Sequence, residues 1–311
     1  MASAAEAISS SSVEEVVDVE RLLAPVSDEN PSGENLQYSG LHDEVREARR
    51  SEDNLEQGEW RRDTKAAEWH QVVNLTTDAL ASKTKDLQIC AWLCEALVKL
   101  YGFAGLRDGL RLMRGLHERF WESLYPEVDD GDLEARINSL TWMERQAGLA
   151  LKETPITKSV MGASYSFLQW QDAANFDVPE KLDDLDSEEL DRINEIKRRA
   201  AEEGKITSEQ WRVAKSGTRR AYYEQTYALL NECWEEFLAL DRVMDEKYGR
   251  QTPGLGALKK SLDEIRSVVE KIVKEKRASE PDRTSAGPGV IDEAQTRSPV
   301  AAGGHAFVTA G

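Results

Sequence analysis

Apolar residues recur every three or four positions along most of the chain, and this spacing predicts amphipathic α-helices. In the first half it predicts helices over residues 41–50, from about 66 to 81, over 87–101 and 106–120, and over 133–151. Alternating patterns typical of strands are weak throughout. The pattern therefore predicts an all-α, multi-helix N-terminal domain whose antiparallel neighbours are joined by short loops.

The second half of the chain has a different pattern. Residues 183–203 are strongly charged, which indicates an exposed helix after a hinge. Thr207 and Gln210 fit a capping box, the pairing that marks a helix start. A long helix is predicted over 219–248, and a return helix keeps a heptad rhythm from Leu255 onward. These features predict a long antiparallel hairpin.

Two helices alone can hide only part of their apolar faces from water, so a second copy of the hairpin is the natural cover. The pattern therefore predicts a homodimer or larger assembly, which would hold several copies of the first domain on hinged arms. The predicted oligomerisation residues lie on the apolar seams of the two helices: Leu230, Trp234, Phe237, Leu258, Leu262, Ile265, Val269 and Ile272.

Changes in composition divide the chain into five predicted parts. The predicted parts are a disordered N-terminal segment (1–20), the multi-helix domain (21–152), a hinge and charged linker (153–206), the hairpin oligomerisation domain (207–277) and a disordered tail (278–311). The tail is rich in Ser, Gly, Pro, Ala and Thr, a composition that cannot bury enough apolar surface to fold.

Charge and hydropathy exclude several classes of partner. The formal net charge of -18 argues against nucleic acid, whose binding needs clustered Lys and Arg. The sequence has no positively charged start followed by an apolar stretch, and no run of about eighteen apolar residues. We therefore expect a cytoplasmic location without membrane insertion.

Residues that carry chemistry are few and scattered. Cys90, Cys94 and Cys233 occupy apolar helix positions, and no His or second Cys pair completes a zinc set. The four histidines fall on separate predicted elements, none beside a recognised nucleophile. Glycines near residue 105 lack the preceding strand and the Lys-Ser/Thr ending of a phosphate-binding loop. We predict no catalytic residue, no metal site and no cofactor.

Three ordered segments carry a family resemblance. Residues 22–36 read LLAPVSDENPSGENL, residues 85–93 read KDLQICAWL, and residues 120–138 contain FWESLYP, DDGD and RIN. In this order and spacing they resemble the ImpA amino-terminal domain, which characterises the TssA family of bacterial type VI secretion systems. In that family a segment similar to residues 165–173 links the first domain to the second.

The resemblance implies a non-enzymatic assembly component that contacts baseplate, sheath or tube proteins. Longer family members continue into a ring-forming C-terminal domain that this sequence does not contain, so no ring is expected from these residues. Irregular segments on a helical scaffold are where partners are often bound. The predicted protein-interaction residues border such segments: Pro25, Pro31, Trp60, Trp121, Tyr125 and Trp170.

Two other functional classes remain open at this stage. One is a helical hydrolase or nucleotide-binding enzyme, which stabilisation by nucleotides or divalent metals in a thermal-shift screen would favour. The other is a free-standing helical adaptor unrelated to secretion, which a pull-down from a strain carrying the secretion genes would distinguish.

Overall fold

A computed structural model describes residues 13–51, 65–160, 162–182 and 185–280. Within these ranges the regular structure is helical, with isolated β-bridges and no strand, which confirms the all-α prediction. The helices are α1 (Val19–Leu22), α2 (Leu41–Arg49), α3 (Trp69–Ser82), α4 (Leu87–Tyr101), α5 (Phe103–Phe120), α6 (Glu134–Glu153), α7 (Phe167–Ala173), α8 (Ser187–Glu202), α9 (Ser208–Gly217), α10 (Arg220–Tyr248) and α11 (Gly256–Ser279).

Helix α4 is the centre of the N-terminal half. It is apolar on nearly every side and packs against α3, α5 and α6. Its start is fixed by Asp86, whose carboxylate accepts hydrogen bonds from the backbone N–H groups of Gln88 and Ile89. Gly102 ends it with a positive φ of 59°. The apolar run over residues 87–101 predicted both limits.

Helices α4 and α5 approach each other so closely that glycine is required between them. A Cβ atom placed on Gly105 would lie 2.1 Å from the backbone oxygen of Leu97. Gly109 has the same role farther along α5, where a Cβ atom would lie 2.6 Å from the Cys94 sulfur. These glycines therefore serve helix packing, which explains their spacing without a phosphate ligand.

Helices α10 and α11 form the predicted antiparallel hairpin, and the hairpin lies against the N-terminal half of the same chain. Helix α10 packs on α5, and α11 packs on α6. Tyr223, Phe237 and Leu262 are fully buried and belong to the same apolar cluster as the core of α4. One continuous core therefore runs through both halves of the described chain.

Helices α7 and α8 occupy the region predicted as hinge and linker, and α9 lies directly after it. Helices α7, α8 and α9 each begin with a capping box, including the Thr207–Gln210 box predicted from the sequence. Residues 13–20, assigned by the sequence analysis to a disordered segment, lie against α5 in the structure, where Val19 is buried. The remaining domain limits stay predictions, and residues 281–311 of the predicted tail lie outside the described residues.

Candidate functional site

The three segments that carry the family resemblance meet at one place, which we call the signature junction: residues 22–36, 83–87 and 121–136. Backbone hydrogen bonds join them in both directions. The N–H of Glu34 donates to the carbonyl of Lys83, and the N–H of Lys85 donates to the carbonyl of Ser32. On the other side, the N–H of Tyr125 donates to the carbonyl of Lys85. The junction is therefore a short non-helical layer between helices.

At Gly33 two segments of this layer approach each other most closely. Its φ of 68° lies in the left-handed region, and a Cβ atom there would lie 2.1 Å from the carbonyl oxygen of Lys83. Its own carbonyl accepts a hydrogen bond from the Tyr125 hydroxyl at 3.0 Å. Only glycine satisfies both the backbone conformation and the close approach.

Lys85 holds the junction from inside. Its side chain is fully buried, and its Nζ donates to the carbonyl oxygens of Leu22, at 2.8 Å, and of Leu80. Nζ also lies 5.5 Å from the centre of the Phe120 ring. Burial lowers the pKa of Lys85 to about 8, because these partners are dipoles and not carboxylates.

Arg136 fixes the loop between α5 and α6, also through hydrogen bonds to backbone carbonyls. Its guanidinium donates to the carbonyl oxygens of Pro126 at 2.7 Å, of Trp121 at 2.9 Å and of Leu124. The guanidinium carbon also lies 4.7 Å from the centre of the Trp121 ring. Burial lowers the pKa of Arg136. One side chain thereby fixes the path of the whole loop.

An open groove of about 490 Å³ lies on the surface of the signature junction, and we call it the junction groove. Trp121 and Tyr125 form its aromatic wall, and Glu122 and Glu127 are exposed at its rim. Burial raises the pKa of Tyr125, and the negative charges of Glu127 and Glu34 raise it further. The groove therefore offers aromatic surface inside a negatively charged edge.

The predicted interaction residues are distributed unevenly around this groove. Trp121 and Tyr125 line it, and Pro25 and Pro31 are exposed on the neighbouring segment. Trp170 is half-buried elsewhere, 5.2 Å from Phe167 and 6.4 Å from Trp211 between ring centres, and joins α7 to α9. Trp60 lies outside the described residues.

The predicted oligomerisation residues are buried within the chain. Leu230, Phe237, Leu258, Leu262, Ile265 and Val269 have no exposed surface, and Ile272 is 4% exposed. Trp234 is partly buried, with its ring stacked on Phe237 and the Arg266 guanidinium 5.1 Å above it. The structure contradicts the reasoning that only a second copy could cover these side chains, because α5 and α6 of the same chain cover them. Self-association itself stays a prediction.

The contact between α5 and α10 contains polar groups that the sequence reasoning missed. His117 is fully buried, with Nδ1 2.8 Å from the carbonyl of Met113 and Nε2 2.9 Å from the Tyr248 hydroxyl. Burial lowers the pKa of His117 to about 4, so the ring is neutral near pH 7. The carbonyl requires a donor at Nδ1, so Nε2 accepts the hydroxyl hydrogen. Sequence offers no clue to this pair, whose members are 131 positions apart.

Charged side chains continue the same contact along α5. The Arg107 guanidinium donates to Asp108 at 2.7 Å and to Glu232 at 2.8 Å. Glu236, one turn farther along α10, accepts from both Arg111 and Arg114. Burial alone would lower the pKa of Arg107, but the two carboxylates outweigh burial and raise it. We call this set of ion pairs the arginine ladder.

The described residues hold no group of three or more His, Cys, Asp or Glu side chains placed to bind a metal ion. Cys90, Cys94 and Cys233 are buried, and burial raises the pKa of each thiol. None of the helices in these ranges is both long enough and apolar enough to span a bilayer.

Comparisons with known proteins find a match over the part of the chain that contains the signature junction. Residues 23–145 match the family model described as ImpA, N-terminal, type VI secretion system. The chain is 33% identical over 139 residues to the type VI secretion system component TssA1 of Pseudomonas aeruginosa. That alignment covers 44% of this chain and 40% of the relative, so the match spans well under half of the relative's length.

A solved structure extends the likeness beyond residue 145. The chain is similar to the N-terminal domain, including the conserved ImpA_N region, of the TssA component of the type VI secretion system from Burkholderia cenocepacia. The TM-score is 0.69 at 25% identity, and the match covers 87% of this chain and 99% of that chain. The likeness therefore includes helices of both halves.

Proposed function

We propose that the chain, which matches the TssA/ImpA_N family of type VI secretion components over residues 23–145, acts as a structural component and not as an enzyme. It binds other parts of the apparatus through the junction groove. The candidate partners are baseplate, sheath and tube proteins. The observation that carries the proposal is the convergence of the three family segments on one open groove with Trp121 and Tyr125 in its wall.

The construction of the groove supports a binding role. Lys85 and Arg136 fix its walls through buried hydrogen bonds to backbone carbonyls, so little ordering is left to occur on binding. Aromatic residues in a preformed groove are typical anchors of protein interfaces. The carboxylates of Glu122 and Glu127 at the rim favour a partner surface with Lys or Arg side chains around an apolar centre.

The test is charge reversal at the rim. The double variant Glu122→Lys/Glu127→Lys should weaken binding to one purified class of baseplate, sheath or tube protein by about tenfold, chiefly through slower association. The matched control is Glu188→Lys/Glu195→Lys on α8, which makes the same change in net charge on another exposed face. Surface plasmon resonance with each partner class measures both variants.

Two outcomes contradict the proposal. Equal weakening by both double variants indicates that only the net charge matters. Binding that neither variant changes removes the groove from the interface. Circular dichroism of both variants checks that helicity is retained, as expected for exposed positions.

Multivalent binding remains a separate prediction. If copies of the chain associate, their interface must use surfaces other than the hairpin seams buried against α5 and α6. Light scattering of the purified chain across concentrations measures whether association occurs.

A further inference from the structure

A second groove, of about 670 Å³, differs from the junction groove: its lining is largely apolar and its rim carries lysines. The end of α4, the start of α5, the end of α6 and the first turns of α10 form its walls. Its lining includes Tyr101, which is 42% exposed, together with Phe103, Tyr222 and Leu229. Its volume is within the range of about 300–1,000 Å³ typical of binding pockets. We call it the α4–α10 groove.

Two lysines and one glutamate lie at the rim of this groove, which leaves one positive charge uncompensated in a protein of net charge -18. Lys99 pairs with Glu153 at 2.5 Å. Lys158 is exposed with its Nζ 6.0 Å from the centre of the Tyr222 ring, and among the described residues it has no carboxylate within ion-pair distance. An occupant that matches this surface is apolar and carries a negative charge.

The chain itself delivers such a segment to the mouth of the groove. Val13, the first described residue, is part of the lining. Arg107 fixes its position by donating to the carbonyl oxygens of Val13 at 2.7 Å and Glu14 at 3.1 Å. The N–H of Val16 donates to the Asp108 carboxylate at 2.7 Å. The residues before Val13 therefore start from an anchored point beside the apolar wall.

We propose that residues 4–8 of this chain's own N-terminal segment occupy the α4–α10 groove. These residues are Ala4, Ala5, Glu6, Ala7 and Ile8, which supply small apolar groups and one carboxylate that matches the charge of Lys158. Four residues separate Ile8 from Val13, and the five steps between their Cα atoms span at most about 17 Å, so Ile8 stays close to the groove. A short tether gives an effective concentration on the order of millimolar, so even weak contacts suffice.

This occupant covers an apolar surface until a partner displaces it. A partner that binds there must present the same chemistry, an apolar segment with an acidic residue, and must compete with a tethered rival. Another part of the chain has similar chemistry: Val290, Ile291, Asp292 and Glu293. That segment lies ten or more residues beyond Glu280, whose carbonyl is held by Arg220. Its tether is therefore longer, and the experiment distinguishes the two.

The experiment uses a photo-crosslinking amino acid in the full chain, at position 8 in one preparation and at position 290 in another. Capture from position 8 is expected on the tryptic peptides 100–107 and 221–242, which belong to two walls of the groove. Mixing isotopically labelled and unlabelled chains shows whether capture occurs within one chain or between copies.

Variants separate docking from mere proximity. With the crosslinker at position 8, Ala4→Asp/Ala7→Asp should reduce groove capture at least fivefold, because it adds charge to the apolar face. Lys158→Glu should also reduce capture, and adding Glu6→Lys to Lys158→Glu should restore it. Lys152→Glu, a partly exposed position on α6, is the matched control and should leave capture unchanged.

Four results would overturn the proposal. They are capture from position 8 that the Ala4→Asp/Ala7→Asp change does not alter, capture from position 290 alone, capture only between labelled and unlabelled chains, and no capture in the groove.

Discussion

The signature junction and the arginine ladder both bury cations, but they neutralise them differently. At the junction, Lys85 and Arg136 donate to backbone carbonyls, and burial lowers the pKa of both side chains. In the ladder, Arg107 and Arg114 face carboxylates, and these raise their pKa values above what burial alone would give. Carbonyl partners fix the path of a loop, whereas carboxylate partners join two helices that are distant in sequence.

This difference explains why one region suits a binding surface and the other suits a scaffold. A loop fixed by interior hydrogen bonds leaves its outer side chains available to a partner, as Glu122 and Glu127 are at the rim of the junction groove. In the arginine ladder, the charged side chains of α5 and α10 are already paired with each other. The contact between α5 and α10 therefore offers little to a partner, and its role is to hold the hairpin in place.

The largest expected effect is at the centre of the ladder. Arg107→Met leaves the fully buried Asp108 carboxylate without its guanidinium, and loss of one partner of a buried ion pair costs about 3–5 kcal/mol. Chemical denaturation should show this decrease in the free energy of unfolding. Arg192→Met, which breaks an exposed pair on α8, is the control and should cost at most about 0.5 kcal/mol. Equal costs would show that burial does not distinguish these pairs.

Arg136→Met tests the junction in the same way. The variant leaves the carbonyls of Pro126, Trp121 and Leu124 without their donor, at an expected cost of about 3 kcal/mol. It also frees the loop that carries the groove, so binding of a secretion partner should weaken with it. Arg107→Met should leave that binding unchanged under conditions where both variants are folded. The comparison fails if both variants lose binding alike.

The His117–Tyr248 contact predicts a pH dependence. The pKa of His117 is lowered to about 4 in the folded state, against about 6.5 in the unfolded chain, so its stabilising contribution is complete above pH 6.5 and is lost as the pH falls toward 4. The difference in unfolding free energy between wild type and His117→Gln should shrink by roughly 3 kcal/mol over that window.

The pH profile of His117→Gln must be subtracted from that of the wild type because the titration of Asp86 changes the unfolding free energy in the opposite direction. Burial raises the pKa of Asp86 to about 6, so acidification from pH 6 toward 4 relieves its cost. The variant His70→Gln, at an exposed position on α3, should reproduce the wild-type profile. A difference that stays constant with pH would show that His117 is not the titrating group.

The smallest expected effect concerns salt. Glu236→Gln removes the negative charge shared by Arg111 and Arg114 and replaces one of its two accepting oxygens with a donor, which should cost about 1 kcal/mol at low ionic strength. That cost should fall by about half near 1 M NaCl, where the Debye length is only about 3 Å. The cost of Arg136→Met should not change with salt, because its partners are carbonyl dipoles. If salt lowered the cost of Arg136→Met and left that of Glu236→Gln unchanged, the contrast between carboxylate partners in the ladder and carbonyl partners at the junction would be wrong.

The sequence alone determined the local features of this protein. Helical periodicity over residues 87–101 predicted both limits of α4. The Thr207–Gln210 box predicted the start of α9, and the three ordered segments predicted the resemblance to the ImpA N-terminal family that the match over residues 23–145 shows. Each of these features depends on residues close together in the chain, so a pattern of a few positions contains the needed information.

Only the tertiary structure decided what covers each apolar face. Periodicity shows which side of α10 and α11 is apolar, but a neighbouring helix of the same chain and a second copy satisfy that side equally well. The structure assigns α5 and α6 as the cover. It also turns Lys85 inward to a carbonyl 63 positions away. Such pairings depend on how distant helices pack, and no local pattern records that packing.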